Sequence, residues 1–156
     1  MFDDLRDLYQ EVILDHGKTP RNFRAIDRAT CLAHGNNPIC GDTLVVYLAL
    51  GPDGRIADVS FQGQGCAISM ASASMMTEIL KGKTRDEATA LFDCFHDMCT
   101  KDDFDPARAK SCDADAMERL SALSGVREFP IRVKCATLAW HTMQAAFSGE
   151  QEISTE

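Results

Sequence analysis

Three cysteines and one aspartate have the residue types and the surroundings of a thiolate–metal site. Cys40 and Asp42 are separated by Gly41, whose backbone freedom permits a turn that directs both side chains at one centre. Cys66 follows a glycine-rich break, and Cys135 follows a proline-containing turn. Three thiolates and one carboxylate are a possible ligand set for tetrahedral zinc. Spacing alone leaves open that Cys66 and Cys135 are small buried hydrophobic residues.

Two of these cysteines, Cys66 and Cys135, each open a segment with the pattern of a helix. A helix N-terminus carries a partial positive charge, which lowers the pKa of a cysteine placed there. The thiolate is the form that binds metal and attacks sulfur. The sequence therefore predicts that these two positions favour thiolate chemistry.

The helices that must position these residues follow from apolar spacing and from glycine and proline stops. About five helices are expected. A capping box at the start of the third one strengthens its assignment. The predicted helices cover residues 3–16, 67–80, 84–99, 113–123 and 135–147.

The strands follow from segments rich in Val, Leu and Tyr. Thr43–Leu50 and Ile56–Gln62 flank a Gly-Pro-Asp-Gly turn, which predicts a hairpin. A further short strand is expected over residues 29–33. A helix, then a hairpin, then helices predicts a two-layer α+β single domain with a small antiparallel sheet of about three strands. We expect the domain to span residues 1–149 and residues 150–156 to form a disordered tail.

The bulk properties exclude some classes of function. The chain has 156 residues and a net charge of −8, whereas nucleic-acid binding needs a basic patch. No apolar run approaches the length of a membrane span. The acidic start of the chain is unlike a signal peptide. Because the seven cysteines are scattered, metal or sulfur chemistry in a reducing cytoplasm is expected, rather than disulfides.

The remaining cysteines are expected to have no function. Cys31 falls in the predicted first strand, and Cys112 falls in a polar segment. Cys94 and Cys99 are five residues apart on one predicted helix and share a face poorly. The four histidines are expected to be structural or surface residues, since none flanks the three site cysteines.

The chain resembles the U-type iron–sulfur cluster assembly proteins, and within them the SufU branch. The resemblance runs along almost the whole chain and is most specific in the second and third of the segments below. The segments that carry it are Asn36-Asn37-Pro38-Ile39-Cys40-Gly41-Asp42, Phe61-Gln62-Gly63-Gln64-Gly65-Cys66-Ala67-Ile68-Ser69-Met70-Ala71-Ser72-Ala73-Ser74-Met75-Met76, Phe129-Pro130-Ile131-Arg132-Val133-Lys134-Cys135-Ala136-Thr137-Leu138-Ala139-Trp140, and the earlier Leu8-Tyr9, Ile13-Leu14-Asp15-His16 and Pro20-Arg21-Asn22.

Two features favour the SufU branch. IscU-type scaffolds carry a ligand histidine immediately before the last cysteine, where this chain has Lys134. SufU-like members carry an insertion before that cysteine, and residues 100–125 are similar to it. The proline-rich chaperone-docking motif of IscU-type scaffolds has no counterpart in this sequence.

The resemblance implies an activity and a site. Cys40, Asp42, Cys66 and Cys135 would bind Zn²⁺, and Cys40 would accept sulfur from the persulfide of a SufS-like cysteine desulfurase. Arg132 would offset the negative charge of the ligands. The protein would then act as a sulfurtransferase-like persulfide relay, passing sulfur to downstream cluster-assembly proteins.

Three other functions remain to be weighed. The same residues could hold iron or a [2Fe–2S] cluster, which would make the protein a scaffold. A purely structural zinc domain that binds another protein is also compatible with a loop-borne Cys-Gly-Asp. A cysteine hydrolase is disfavoured, because it needs a base beside the nucleophile and no histidine has an obvious place by Cys40.

Overall fold

The computed structural model describes residues 2–101, 104 and 113–154. Five α-helices, one 3₁₀ helix and four strands make up its regular structure. In chain order they are α1 (Phe2–Lys18), β1 (Cys31–Asn37), β2 (Asp42–Leu50), β3 (Ile56–Gln64), α2 (Ala67–Leu80), α3 (Arg85–Thr100), α4 (Ala114–Leu120), the 3₁₀ helix Ser121–Glu128, α5 (Pro130–Phe147) and β4 (Glu152–Ser154).

The strands form one sheet in the order β3-β2-β1-β4. β1 and β2 pair antiparallel, with Asn37 opposite Asp42 at the end of the ladder. β2 and β3 also pair antiparallel, whereas β4 lies parallel to β1. The loop between β1 and β2 is therefore a short hairpin connection that contains Cys40.

One face of the sheet is covered and the other is open. Along β2, buried Leu44, Val46 and Leu48 alternate with more exposed residues, the pattern of a strand with one face against the core. Helix α5 packs on β1 and β2, and α2 packs on β3 and α5. The covered face therefore brings the starts of both helices near the hairpin loop.

The core lies between this sheet face and the helices. Trp140 of α5 is fully buried, and its ring lies 5.0 Å from that of Phe95 on α3. Gly35 of β1 lets α5 approach closely, because a Cβ there would overlap the Thr142 hydroxyl. Within the described ranges, no helix is both long enough and apolar enough to cross a bilayer.

The fold confirms the predicted α+β single domain and its five helices, with local differences in the sheet, the tail and the start of α5. The sheet has four strands rather than three, and one pair is parallel. β1 covers Cys31–Asn37 rather than residues 29–33. The tail after Gly149, predicted to be disordered, contains β4, which His34 anchors by donating its backbone N–H to the Gln151 carbonyl.

The end of the chain also differs at α5, which begins at Pro130 and not at Cys135. Proline is favourable as the first helical residue, because its φ is preset and its missing N–H would have no partner there. Much of the predicted insertion, residues 102–103 and 105–112, lies outside the described residues. Its later part contains α4 and most of the 3₁₀ helix.

Candidate metal centre

The hairpin between β1 and β2 presents two of the candidate residues. Asn37 and Asp42 are cross-strand partners, and both are fully buried on the same face of the sheet. Between them, Gly41 adopts a φ of +72°, a left-handed conformation that glycine accepts at little cost. The half-buried Cys40 lies at the tip of this loop. The hairpin therefore supplies a cysteine on a loop, and beside it a carboxylate that is fixed in the sheet.

The two carboxylate oxygens of Asp42 differ in their hydrogen bonding. Its Oδ1 accepts the backbone N–H of Cys66 at 2.8 Å. Its Oδ2 is buried and has no hydrogen-bond partner within the described part of the chain. Burial of an unpartnered carboxylate oxygen is unfavourable unless a cation approaches it. The open oxygen is therefore an available donor for a metal ion.

Close approach of the β3–α2 connection to Asp42 depends on Gly65. A Cβ at that position would overlap the Asp42 carboxylate. The next residue, Cys66, is the N-cap of α2, as the sequence predicted, and its side chain makes no capping hydrogen bond. The first turn of α2 contains no acidic residue, so no side chain of that turn neutralises the partial positive charge of the helix start.

Cys135 lies in the second turn of α5 and is fully buried. Its Sγ is 2.9 Å from the Sγ of Cys40. Burial raises the pKa of the Cys135 thiol, and the hydrogen bond with Cys40 and the charge of Cys66 raise it further. The expectation that a helix N-terminus lowers its pKa was wrong. A buried sulfur among other acidic groups carries a negative charge readily only beside a cation.

The structure brings most of the predicted ligand set together. One donor atom each from Cys40, Asp42 and Cys135 lies within 4.8 Å of the other two. Cys66 is outside that group but adjoins it, through its N–H on Asp42 and through a cleft that it lines with Cys40. Among the described residues, the donor group includes no histidine.

Arg132 lies in the first turn of α5 beside all three sulfurs. The negative charges of Cys66 and Cys135 raise its pKa, with smaller contributions from a hydrogen bond to Cys135 and from the charge of Cys40. Its side chain is exposed. The guanidinium is therefore a positive group that interacts with all three sulfurs.

An open cleft of about 520 Å³ leads to the cysteines. Cys40 and Cys66 line its floor, and the segment from Glu128 to Arg132 forms one wall. Three large apolar side chains near the opening are more than half exposed, namely Ile39 (55%), Phe129 (60%) and Ile131 (54%). The cleft is open to a partner and has an apolar border.

Asn37 is not among the residues that the sequence predicted for the site. Its Nδ2 donates to the Sγ of Cys135 at 3.7 Å, so it belongs to the site. The hairpin register would have found it, since a residue directly opposite Asp42 shares its face of the sheet.

The other cysteines lie away from this centre in the described part of the chain. Cys31 begins β1, and burial raises the pKa of its thiol. Cys94 and Cys99 are buried on α3. Cys112 lies outside the described residues. None of the three described ones belongs to the donor group. Cys94 is disulfide-bonded, so the expectation that the cysteines form no disulfides was wrong at this position.

The donor chemistry fits zinc. Three sulfurs and one carboxylate oxygen match the ligand types and the number that four-coordinate Zn²⁺ takes in proteins. The Oδ2 atom of Asp42 is buried and has no hydrogen-bond partner among the described residues. A bound cation would offset the cost of burying it. Iron and iron–sulfur clusters accept similar donors.

Comparison with known proteins points in the same direction. The sequence matches the family described as NifU-like N terminal domain over residues 8–136. It is 38% identical to the zinc-dependent sulfurtransferase SufU of Bacillus subtilis (strain 168), over 95% of each chain. It is 39% identical to the iron–sulfur cluster assembly scaffold protein IscU of Streptococcus pyogenes serotype M1, over 91% of this chain and 84% of that protein.

A solved structure is also similar. It is that of a proposed iron–sulfur cluster assembly scaffold protein for the SUF system from Fervidobacterium islandicum AW-1. The TM-score is 0.75 at 32% sequence identity, and the match covers 87% of this chain and 93% of that one. The shared fold places the loop, the N-terminus of α2 and the start of α5 in a framework that other assembly proteins use.

Proposed function

Because the chain belongs to the NifU-like N-terminal domain family, we propose that it serves iron–sulfur cluster assembly as a zinc-dependent sulfur acceptor. It takes persulfide sulfur from a cysteine desulfurase of the SufS type and passes it to downstream cluster-assembly proteins. The observation that carries this proposal is the buried Asp42 carboxylate, which has one oxygen without a partner among the described residues and lies close to two thiols. A reducing cytoplasm suits free thiols of this kind.

The ligands are Cys40, Asp42, Cys66 and Cys135. Bound zinc would keep these sulfurs deprotonated and restrain their reactivity. Cys40 is the reactive sulfur, since it lies on the hairpin loop and lines the open cleft. Cys135 is fully buried and is fixed in a helix, so it serves to hold the site rather than to react.

The transfer itself is a thiol–disulfide type exchange. The Cys40 thiolate attacks the outer sulfur of the desulfurase persulfide and forms a new S–S bond. The S–S bond of that persulfide breaks, and its electron pair leaves with the desulfurase cysteine as a thiolate. Cys40 then carries the persulfide. No external oxidant or reductant takes part.

Arg132 supports this exchange. Three thiolates and a carboxylate around Zn²⁺ leave a net charge of about −2, which opposes the approach of an anionic persulfide. The guanidinium next to the sulfurs offsets that charge. We expect Arg132→Ala to lower the transfer rate about tenfold, which corresponds to about 1.4 kcal/mol. Arg119→Ala, which removes a surface ion pair with Glu78, is the matched control.

The apolar border of the cleft is the contact surface for the desulfurase. Exposed apolar groups around a reactive centre favour a protein partner. Phe129→Ala and Ile131→Ala should raise the desulfurase concentration needed for half-maximal transfer. Leu32→Ala is the control, because Leu32 is exposed on the open face of the sheet.

The alternative is a scaffold that assembles a [2Fe–2S] cluster on the same residues. The similarity to IscU proteins favours it. Lys134 speaks against it, because lysine is a poor ligand at neutral pH.

Metal content of the chain, purified without oxygen and without added metal, separates the two functions. One zinc per chain, lost in Cys66→Ser, supports the relay. Iron with matching acid-labile sulfide supports the scaffold.

The acceptor role of Cys40 is tested with a desulfurase, cysteine and mass spectrometry of the alkylated protein. We expect a persulfide on Cys40 in the wild type and no transfer to Cys40→Ser. Cys31→Ser, which removes a half-buried thiol at the start of β1, should transfer normally. If Cys40→Ser still stimulates the desulfurase to the full extent, another residue is the acceptor.

A further inference from the structure

Asn37 is the last residue of β1 and lies next to the candidate metal centre. Its side chain is fully buried on the same face as that of its cross-strand partner Asp42. The Nδ2 atom donates to the Sγ of Cys135 at 3.7 Å, a distance at which an amide N–H reaches a large sulfur acceptor. The strand is thereby tied to α5 at the ligand itself.

The other half of the amide has no partner. Asn37 Oδ1 is buried without a hydrogen bond within the described residues. A buried carbonyl oxygen that is left unsatisfied destabilises the fold, and an apolar side chain of similar size would avoid this penalty. Packing therefore gives no reason for an amide here, whereas the N–H directed at sulfur does.

The bonding of Cys135 changes when its sulfur is a ligand. As a thiol, it lies 2.9 Å from the sulfur of Cys40 and 3.6 Å from the carbonyl of Ile131. A thiolate has no hydrogen to donate and can only accept. Among the described residues, the Asn37 amide and the Arg132 guanidinium then remain as hydrogen-bond donors to this sulfur.

We propose that Asn37 is a positioning residue of the metal centre. Its amide N–H holds the Cys135 sulfur toward Cys40 and Asp42 and offsets part of the negative charge on that sulfur. This inference rests on the proposed function, in which Cys135 is a metal ligand. Groups that hydrogen-bond a ligand from outside the coordination sphere orient it and tune its donor strength.

Two substitutions separate this role from a structural one. Asn37→Leu keeps a similar side-chain size and removes both the donor and the unsatisfied oxygen. Asn37→Ala removes the same atoms and leaves more space. Asn36→Ala is the matched control, since Asn36 is the preceding residue on β1 and its side chain is exposed on the other face.

The experiment titrates each metal-free protein with Co²⁺ without oxygen and records the thiolate-to-cobalt charge-transfer bands. Zinc affinity is then measured by competition. In both Asn37 variants the bands should move to longer wavelength, because a thiolate without its N–H donor transfers an electron to the metal at lower energy. Zinc affinity should fall about 10- to 100-fold, the usual effect of losing a group that supports a ligand. Asn36→Ala should behave like the wild type.

Thermal unfolding of the metal-free proteins tests the alternative that Asn37 serves only to stabilise the fold. That alternative predicts a lower unfolding temperature for Asn37→Leu. Asn37→Leu should be at least as stable as the wild type, because the unsatisfied oxygen is gone. Unchanged bands and unchanged affinity in both Asn37 variants would overturn the inference and leave the metal site intact. A wild type that shows no thiolate-to-cobalt band would overturn the proposed function together with it.

Discussion

The Asp42 carboxylate and the Cys66 backbone N–H share a hydrogen bond of 2.8 Å where β2 meets the start of α2. This bond fixes the carboxylate, whose other oxygen is buried without a partner among the described residues, and one carboxylate oxygen lies within 4.8 Å of the Cys40 and Cys135 sulfurs. One residue therefore has two tasks, since it anchors the helix start and offers a donor atom.

The two tasks of Asp42 can be separated by substitution. Asp42→Asn keeps an oxygen for the Cys66 N–H but removes the charge, whereas Asp42→Ala removes both. We expect both variants to bind zinc at least about tenfold more weakly and only the alanine variant to lose thermal stability as well. Competition with a chelator and thermal unfolding measure the two effects. Unchanged zinc affinity and activity would exclude Asp42 as a ligand.

Gly65→Ala should damage the site without altering any candidate ligand. The added Cβ overlaps the Asp42 carboxylate, so the carboxylate must shift, and overpacking of this kind typically costs about 1–3 kcal/mol. Zinc affinity should fall with it. Gly125→Ala is the control, because a Cβ at Gly125 meets nothing within 4 Å. A Gly65→Ala protein with wild-type affinity would mean that the carboxylate position is unimportant.

Cys99 should be inert in the folded protein. It is fully buried, and burial raises the pKa of its thiol to about 12, so almost no thiolate forms at neutral pH. In metal-free protein, iodoacetamide should label Cys40 rapidly and Cys99 only after denaturation, as mass spectrometry of the peptides would show. Cys99→Ala should transfer sulfur normally. Fast labelling of Cys99 in the native state would contradict its assignment to the core.

Stability should fall on mild acidification because of His16. Its Nδ1 lies 2.7 Å from the Ser74 hydroxyl, which also accepts the backbone N–H of Arg21. Burial, followed by the charge of Arg21, lowers the pKa of His16, and Glu78 opposes the shift. The unfolded chain therefore binds more protons. The stability that neutral His16 provides is present above its ordinary pKa of 6.5 and is lost as the pH falls through the lowered folded value.

Thermal unfolding from about pH 7.5 to about pH 5.5 tests this in the range where histidine titrates. The midpoint of the wild type should drop, and that of His16→Asn, whose amide oxygen can still accept from Ser74, should drop less. His141, whose pKa burial and His96 also lower, contributes to the remaining slope. Parallel slopes for the two proteins would assign the whole effect to other groups.

The sequence predicted the parts of this fold that follow from short-range rules. Glycines before Cys66 indicated a sharp turn into a helix, and the structure confirms that helix start. The hairpin of β2 and β3 followed from alternation around a turn. That Cys40, Asp42, Cys66 and Cys135 bind metal together stays a prediction, although three of them are brought within 4.8 Å of one another.

Other parts could not be predicted from local patterns. Pro130 was interpreted as a break, but proline also begins helices, so the start of α5 and the place of Cys135 in its second turn were missed. β4 has three residues, of which only Ile153 is apolar, and such a strand forms only because the edge of β1 is available. The contact of Asn37 with Cys135 joins residues 98 positions apart and depends on how α5 crosses the sheet.

The parallel strand β4 has a practical consequence for handling the protein. Ser154 pairs with Asn36, which is four residues before Cys40, so β4 lies beside the strand that leads into the reactive loop. An affinity tag placed downstream of β4 would therefore bring added residues to the side of the sheet that holds β1. Tags of polyhistidine would also bring foreign metal ligands there. Assays of metal content and sulfur transfer should use an amino-terminal tag that is cleaved before measurement.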